Sequence, residues 1–236
     1  MKRLYFVNWQ RDISIEESGG RKVVVKRNKP TKEFHELLIT YTYTLISILL
    51  AHPSPPINTR EIMANEGHAS RKNLAGLGIQ TPELIAIADH YLIEEYIEGG
   101  DLYRSLASLG EVELASKAGM LTGKLHLAGR AFIDNKAQNY LVGNGAVIRT
   151  DLGFTSKTDS QFAKSMDIGS FLASVMDLSN YPVIERAFYG GYFSETGQKF
   201  TYLSIVIRNL LSLGFSSNST IMLQNMILDC RPLLER

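Results

Sequence analysis

Cysteine is nearly absent. The 236 residues hold one, Cys230, which excludes an intramolecular disulfide and a cysteine-built zinc site and fits a reducing compartment. An excess of one charge is missing too: 25 basic and 24 acidic residues leave a net charge of +1 and are spread along the chain, so composition announces no polyelectrolyte partner. The charge-free stretch "LLITYTYTLISILLA", Leu37 to Ala51, is shorter than the roughly 20 residues of a membrane-spanning helix, so no membrane span is expected. It reads as a core helix or as one that docks a protein partner. The opening "MKRLYFVNWQRD" lacks the apolar length and small-residue cleavage pattern of a secretory leader, and a cytoplasmic location is expected. There is no internal repeat. What remains is 44% hydrophobic residues, enough to fill one large domain or two small ones around a cleft.

Apolar alternation predicts short strands at "LYFVNW", "ISIEES" and "KVVVKR", the last two joined at Gly19-Gly20. A helix is expected from Thr31 to Ala51, broken by "HPSPP", and a further helix capped by Asn58 or Thr59 should run towards Leu77. Two strands around Asp89-His90 follow and end near Gly99-Gly100. From Asp101 onward the apolar spacing is mainly helical, interrupted by one hairpin around "GNG". The expected architecture is α+β and bilobal, with residues 1–97 as a strand-rich N-lobe and 98–236 as a helical C-lobe, and a cleft at their junction.

The hairpin carries the chemistry. In "FIDNKAQNYLVGNGAVIRTDLGF", Phe132 to Phe154, Asp134 and Asn139 enter its first strand and Asp151 follows its second. Both ends of a hairpin lie on one side, so these side chains can converge. Asn and Asp oxygens suit Mg²⁺, which takes one or two carboxylates and fills its sphere with phosphate oxygens and water. Asp134 is then left to orient or deprotonate a hydroxyl. Upstream, "VVVK" ends in Lys26, with Glu66 on the following helix as a candidate partner. Taken alone, Lys26 reads as a solvated strand end and Glu66 as an exposed helix residue.

The order of these motifs resembles the protein-kinase-like fold from about Val23 to Asp177. "VVVK" is similar to its strand-borne Lys motif, "EEYIEG" to its hinge, "LHLAGRAFIDNKAQN" to its catalytic loop, and "DLG" stands where that fold has D-F-G. Asp167 in "SMDIGSFL" resembles the buried Asp that braces the catalytic loop. "GIQTPELI" resembles small atypical members: the kinase subunit of the KEOPS tRNA-modification complex, the RIO kinases and the lipopolysaccharide kinases. The resemblance implies ATP and Mg²⁺ as cofactors, with Lys26 on the α and β phosphates and Glu66 paired to it. It further implies Asn139 and Asp151 as metal ligands, Asp134 as the acid-base residue and Lys136 beside the transferred phosphoryl group. The backbone of Glu95 and Ile97 would meet the adenine edge. His126 is expected to be structural, and Trp9 and "AFYGGYF" to pack in the core or a loop.

Departures from the pattern narrow the expectation. Phe132-Ile133 replaces His-Arg before the catalytic Asp, which removes the Arg that receives an activation-loop phosphate. "NWQRDI" holds no glycine, so the cover over the phosphates must be built otherwise. Asp151 and Asp167 are about sixteen positions apart with no A-P-E element between them, too short for a peptide platform. The expected function is an ATP- and Mg²⁺-dependent phosphotransferase, acting as a serine/threonine kinase or as a switch ATPase in a complex, which by resemblance would be a tRNA-modification complex. The alternatives are a pseudokinase that serves as a binding module, and a kinase of a sugar or lipopolysaccharide.

Overall fold

The computed structural model describes residues 10–107, 111–199, 201–215 and 219–234. The strand expected at "LYFVNW" and the residue Trp9 lie outside them. β1 (Arg11–Ser18) and β2 (Arg21–Asn28) form a hairpin turned by Gly19 and Gly20, whose φ values of 59° and 76° are accessible without cost only to glycine. β3 (Leu84–Ala88) and β4 (Tyr91–Glu95) complete an antiparallel sheet in the order β1-β2-β4-β3. Val23 and Val25 point to the buried face, whereas Val24 and Lys26 face the other way, opposite Ile15 and Ile13.

Between β2 and β3 lie α1 (Lys32–Leu49), a short α2 (Ile62–Asn65) and α3 (His68–Gly76). The charge-free stretch is thus helical, as its apolar content suggested, but it buries one side only. Tyr43 packs edge-on against Phe162 at 5.0 Å, and Ile46 joins Ile57, Ile62, Ile133 and Phe154 in one core cluster. Phe34, Leu37, Leu38, Tyr41, Leu45, Ile48 and Leu49 are exposed on the other side. The helix expected from Asn58 to Leu77 is interrupted. Asn58 caps a 3₁₀ turn through its side chain, which accepts from Arg60 N at 3.2 Å, and the chain breaks at Glu66-Gly67 before α3 begins. Gly67, extended at ψ 173°, resets the direction.

The second half is helical: α4 (Leu102–Leu106), α5 (Glu113–Leu127), α6 (Gln161–Val175), α7 (Tyr181–Thr196), α8 (Tyr202–Phe215) and α9 (Ser219–Leu234). "AFYGGYF" lies within α7 and buries Phe188 and Tyr192 against α5. A Cβ on Gly191 would stand 1.9 Å from the Ser116 carbonyl oxygen, and one on Gly119 would stand 2.1 Å from that of Phe188, so the two helices touch backbone to backbone. Two short pairs interrupt the helices. β5 (Arg130–Ala131) pairs with β8 (Ser156–Lys157), and β6 (Tyr140–Gly143) pairs with β7 (Ala146–Arg149) around Asn144-Gly145. Val142 N donates to Gly100 O at 2.9 Å, which ties this hairpin to the segment leaving β4. The fold is α+β, with an antiparallel N-terminal sheet and a helical C-terminal part. Among the described residues no helix is long and apolar enough to cross a membrane.

Candidate functional site

The loop between β5 and β6 is held by one buried carboxylate. Asp167, on α6, accepts from Phe132 N at 2.7 Å and Ile133 N at 2.5 Å. His126 reaches the same carboxylate through Nε2 at 3.1 Å and meets the Tyr192 hydroxyl through Nδ1 at 3.0 Å, so it braces the loop from below. Ile133 sits at φ 65°, an unfavourable region for a β-branched residue, and the two bonds from Asp167 hold the backbone there. This local strain aims the next residue. The Asp134 carboxylate accepts from Lys136 Nζ at 2.9 Å and from Asn139 Nδ2 at 3.2 Å.

The far end of the hairpin comes to the same place. Thr150 N donates to the Asn139 carbonyl at 3.0 Å, and Asp151 follows at φ 56°. Arg149, fully buried, stacks its guanidinium over Phe132 at 4.2 Å and Tyr140 at 4.9 Å. Its NH2 group donates to the carbonyls of Asp134 at 3.0 Å and Asp151 at 3.3 Å. Sequence reading missed Arg149 because an Arg in a short strand ordinarily points to solvent. The one available signal was its position immediately before Thr-Asp.

Across the cleft the expected pairing is corrected. The carboxylate on Lys26 Nζ is that of Glu94, at 2.5 Å, and Lys26 also donates to Thr150 Oγ1 at 2.8 Å. Val24 lies opposite Glu94 and Lys26 opposite Leu92, so Glu94 is the diagonal neighbour of Lys26 on the same sheet face. Glu66, displaced by the break after α2, accepts instead from Arg11 NH1 at 3.1 Å. Arg71 links the two acids, bonding the Glu94 carboxylate and lying 3.7 Å from Glu66 Oε2. Arg11 NH1 also lies 3.9 Å from Asp151 Oδ1. Burial pushes the Glu66 carboxyl up by more than Arg11 offsets, with Asp151 and Glu94 adding to the rise. Burial pushes Asp151 up as well, but Arg11, Lys26, Lys136 and Arg149 outweigh it and hold the group below the usual Asp value.

Glu95 and Ile97 lie where the sheet hands over to the helices. Glu95 N is taken by the Glu83 carbonyl at 2.9 Å. Ile97 packs over Gly143, where an added Cβ would meet its Cγ2 at 2.8 Å. A cavity of about 1010 Å³ lies at this joint, lined among others by Gln80, Thr81, Tyr96, Ile97, Asn144 and Ile148. It does not include Lys26, Asp134, Asn139 or Asp151. That cluster is closed: Arg11 is 4% exposed, Lys26 8%, Asn139 8% and Asp134 9%, while the Asp151 side chain keeps 28%.

The donor set fits a magnesium-bound phosphate. Asn139 uses its Nδ2 on Asp134, so its side-chain oxygen is not used by that bond. Among the described residues no three His, Cys, Asp or Glu side chains group as a complete metal cage, so a hard cation here would depend on ligand oxygens, as Mg²⁺ commonly does.

No family model matches the chain. A curated relative described as a probable bifunctional tRNA threonylcarbamoyladenosine biosynthesis protein, from Methanocorpusculum labreanum, is 25% identical over 143 residues. The match covers 58% of this chain and 26% of the relative, so the chain spans about a quarter of that protein's length. Among solved structures, a chain of "WaaP in complex with acyl carrier protein" superposes with a TM-score of 0.49 at 14% identity, covering 93% of this chain and 83% of the other.

Proposed function

We propose that the protein is an ATP- and Mg²⁺-dependent phosphotransferase of the atypical kinase-like type, working as a serine/threonine kinase or as a switch ATPase within a complex. The observation that carries this reading is the convergence of Asp134, Asn139 and Asp151, whose two loops are tied together by Arg149. Asn139 and Asp151 would hold the metal, which supplies charge neutralisation at the phosphates. Asp134 would accept the acceptor's proton, and Lys136, already 2.9 Å from Asp134, would steady the charge that develops on the transferred group. Arg11 and Lys26 bring positive charge to the triphosphate from the sheet above, and Glu95 and Ile97 are the backbone positions for the base.

Purified protein with Mg²⁺ and labelled ATP should release phosphate or transfer it, and Asp151→Ala should lower turnover by at least a hundredfold, about 2.7 kcal/mol of barrier. Equal turnover in both proteins would remove the reading.

A second reading is a binding module, favoured by the closed cluster and by the exposed apolar face of α1. That face, from Phe34 to Leu49, is where a protein partner would dock. The curated relative's tRNA threonylcarbamoyladenosine biosynthesis suggests a complex of that pathway as the setting. A binding module should show little thermal stabilisation by Mg-ATP, and a shift of several degrees would count against it.

A further inference from the structure

We infer that Asn65, the last residue of α2, is a positioning residue for the Asp151 carboxylate, an assignment that rests on the metal-nucleotide reading above. Its amide is spent on the loop that leaves Asp151. Nδ2 donates to the Gly153 carbonyl at 2.9 Å and to the Thr155 carbonyl at 2.8 Å. An amide nitrogen carries two protons, so both bonds are made at once.

The loop needs such a hold. Asp151 stands at φ 56°, a region that costs a non-glycine residue free energy and persists only where the surroundings impose it. From one side Arg149 NH2 donates to the Asp151 carbonyl at 3.3 Å, and Leu152, the next residue, is fully buried in the core. From the other side the hold comes from α2. Its single turn carries Ile62 and Asn65 three positions apart, which places them on one face. Ile62 lies so near Gly153 that an added Cβ there would stand 2.7 Å from its Cγ2, and Asn65 bonds the carbonyl of the same glycine. The strained residue is gripped on both sides, and its carboxylate, 28% exposed, is aimed before any ligand arrives. Groups that orient a metal ligand without touching the metal commonly carry about 10–100-fold in metal affinity. Asn65 occupies that position for Asp151.

The test compares the full chain with its Asn65→Ala and Asn65→Ser variants by titration calorimetry with ADP, in EDTA and across a Mg²⁺ series, with circular dichroism to establish folding. In Asn65→Ala the Mg²⁺ concentration that gives half of the metal-dependent gain in ADP affinity should rise at least about fivefold, with ADP affinity in EDTA unchanged. A serine hydroxyl has one proton and can hold only one of the two carbonyls, so Asn65→Ser should show a smaller rise. A rise below about fivefold in Asn65→Ala would overturn the assignment. Equal losses with and without Mg²⁺ would also overturn it, because Asn65 would then be a structural residue only. Should Asn65→Ala fail to fold, Asn65→Ser decides: a raised Mg²⁺ requirement with ADP affinity in EDTA unchanged supports the assignment, and an unchanged requirement, or a second failure to fold, overturns it. A wild type that binds no ADP, or binds it without regard to Mg²⁺, would overturn the metal-nucleotide reading together with this assignment. That outcome is distinguishable because every other one starts from a wild type whose ADP binding responds to Mg²⁺.

Discussion

The Lys26 ammonium and the Glu94 carboxylate lie 2.5 Å apart across adjacent strands, both almost out of solvent. Glu94→Gln would leave Lys26 and Arg71 without their shared carboxylate. Breaking a buried pair from one side costs about 3–5 kcal/mol, so the denaturation midpoint should fall markedly at neutral pH. Urea unfolding of the two proteins measures it, and an unchanged midpoint would mean that the network carries no net stability.

The same residue sets part of the acid response. Burial pushes the Glu94 carboxyl up, but Lys26 and Arg71 outweigh it and hold the group below its ordinary 4.5. A depressed acid contributes stability that is present above 4.5 and is lost as pH falls through the folded value. Glu66, raised by burial, acts in the opposite sense and costs stability as pH climbs above 4.5. Unfolding free energies between about pH 7 and pH 3 should therefore fall less steeply on the acid side for Glu94→Gln than for the wild type. Parallel curves would place the acid sensitivity elsewhere.

Asp167→Ala removes the acceptor of two buried backbone N–H groups. Each orphaned donor costs about 1–3 kcal/mol, and Ile133 loses the bonds that hold it at φ 65°. Nucleotide turnover should drop along with stability because Asp134 is aimed from that residue. A variant that melts normally and turns over normally would show that the loop holds its shape without α6.

Arg149→Met keeps apolar volume beneath Phe132 and Tyr140 but removes the bonds to the Asp134 and Asp151 carbonyls. A stability loss of about 2–3 kcal/mol is expected from the cation–π contacts and hydrogen bonds together. The effect on turnover should fall mainly on kcat, because the two acids would lose their common spacer. Steady-state kinetics below the melting range separates the effects, and a change in KM alone would contradict this role.

Gly191→Ala places a methyl group 1.9 Å from the Ser116 carbonyl oxygen, so α5 and α7 must part. Overpacking of this kind costs about 1–3 kcal/mol. Thermal melting should show it, and a wild-type melting temperature would mean that the helices separate freely.

Much of the architecture was legible in the amino-acid order. Gly19-Gly20 and Asn144-Gly145 mark hairpins because few residues accept positive φ, and the apolar spacing of α5, α6, α8 and α9 marks helices because 3.6-residue periodicity is a local property, whereas the helix α7 around "AFYGGYF" was not read from the sequence. The gathering of Asp134, Asn139 and Asp151 could be read for the same reason, since a short hairpin brings its own ends together. The break at Glu66-Gly67 was less legible, as a single glycine either continues or ends a helix according to what packs beside it.

The sequence by itself determined which residue types were available at the candidate site and placed the acids and the amide on one short hairpin. Tertiary structure alone decided which cation faces which acid. Arg11 and Glu66 are separated by 55 positions and Lys26 and Thr150 by 124, and no local pattern specifies such partners. They are chosen by sheet register and by where α2 stops, because charges buried in the cleft must each find an opposite charge within reach.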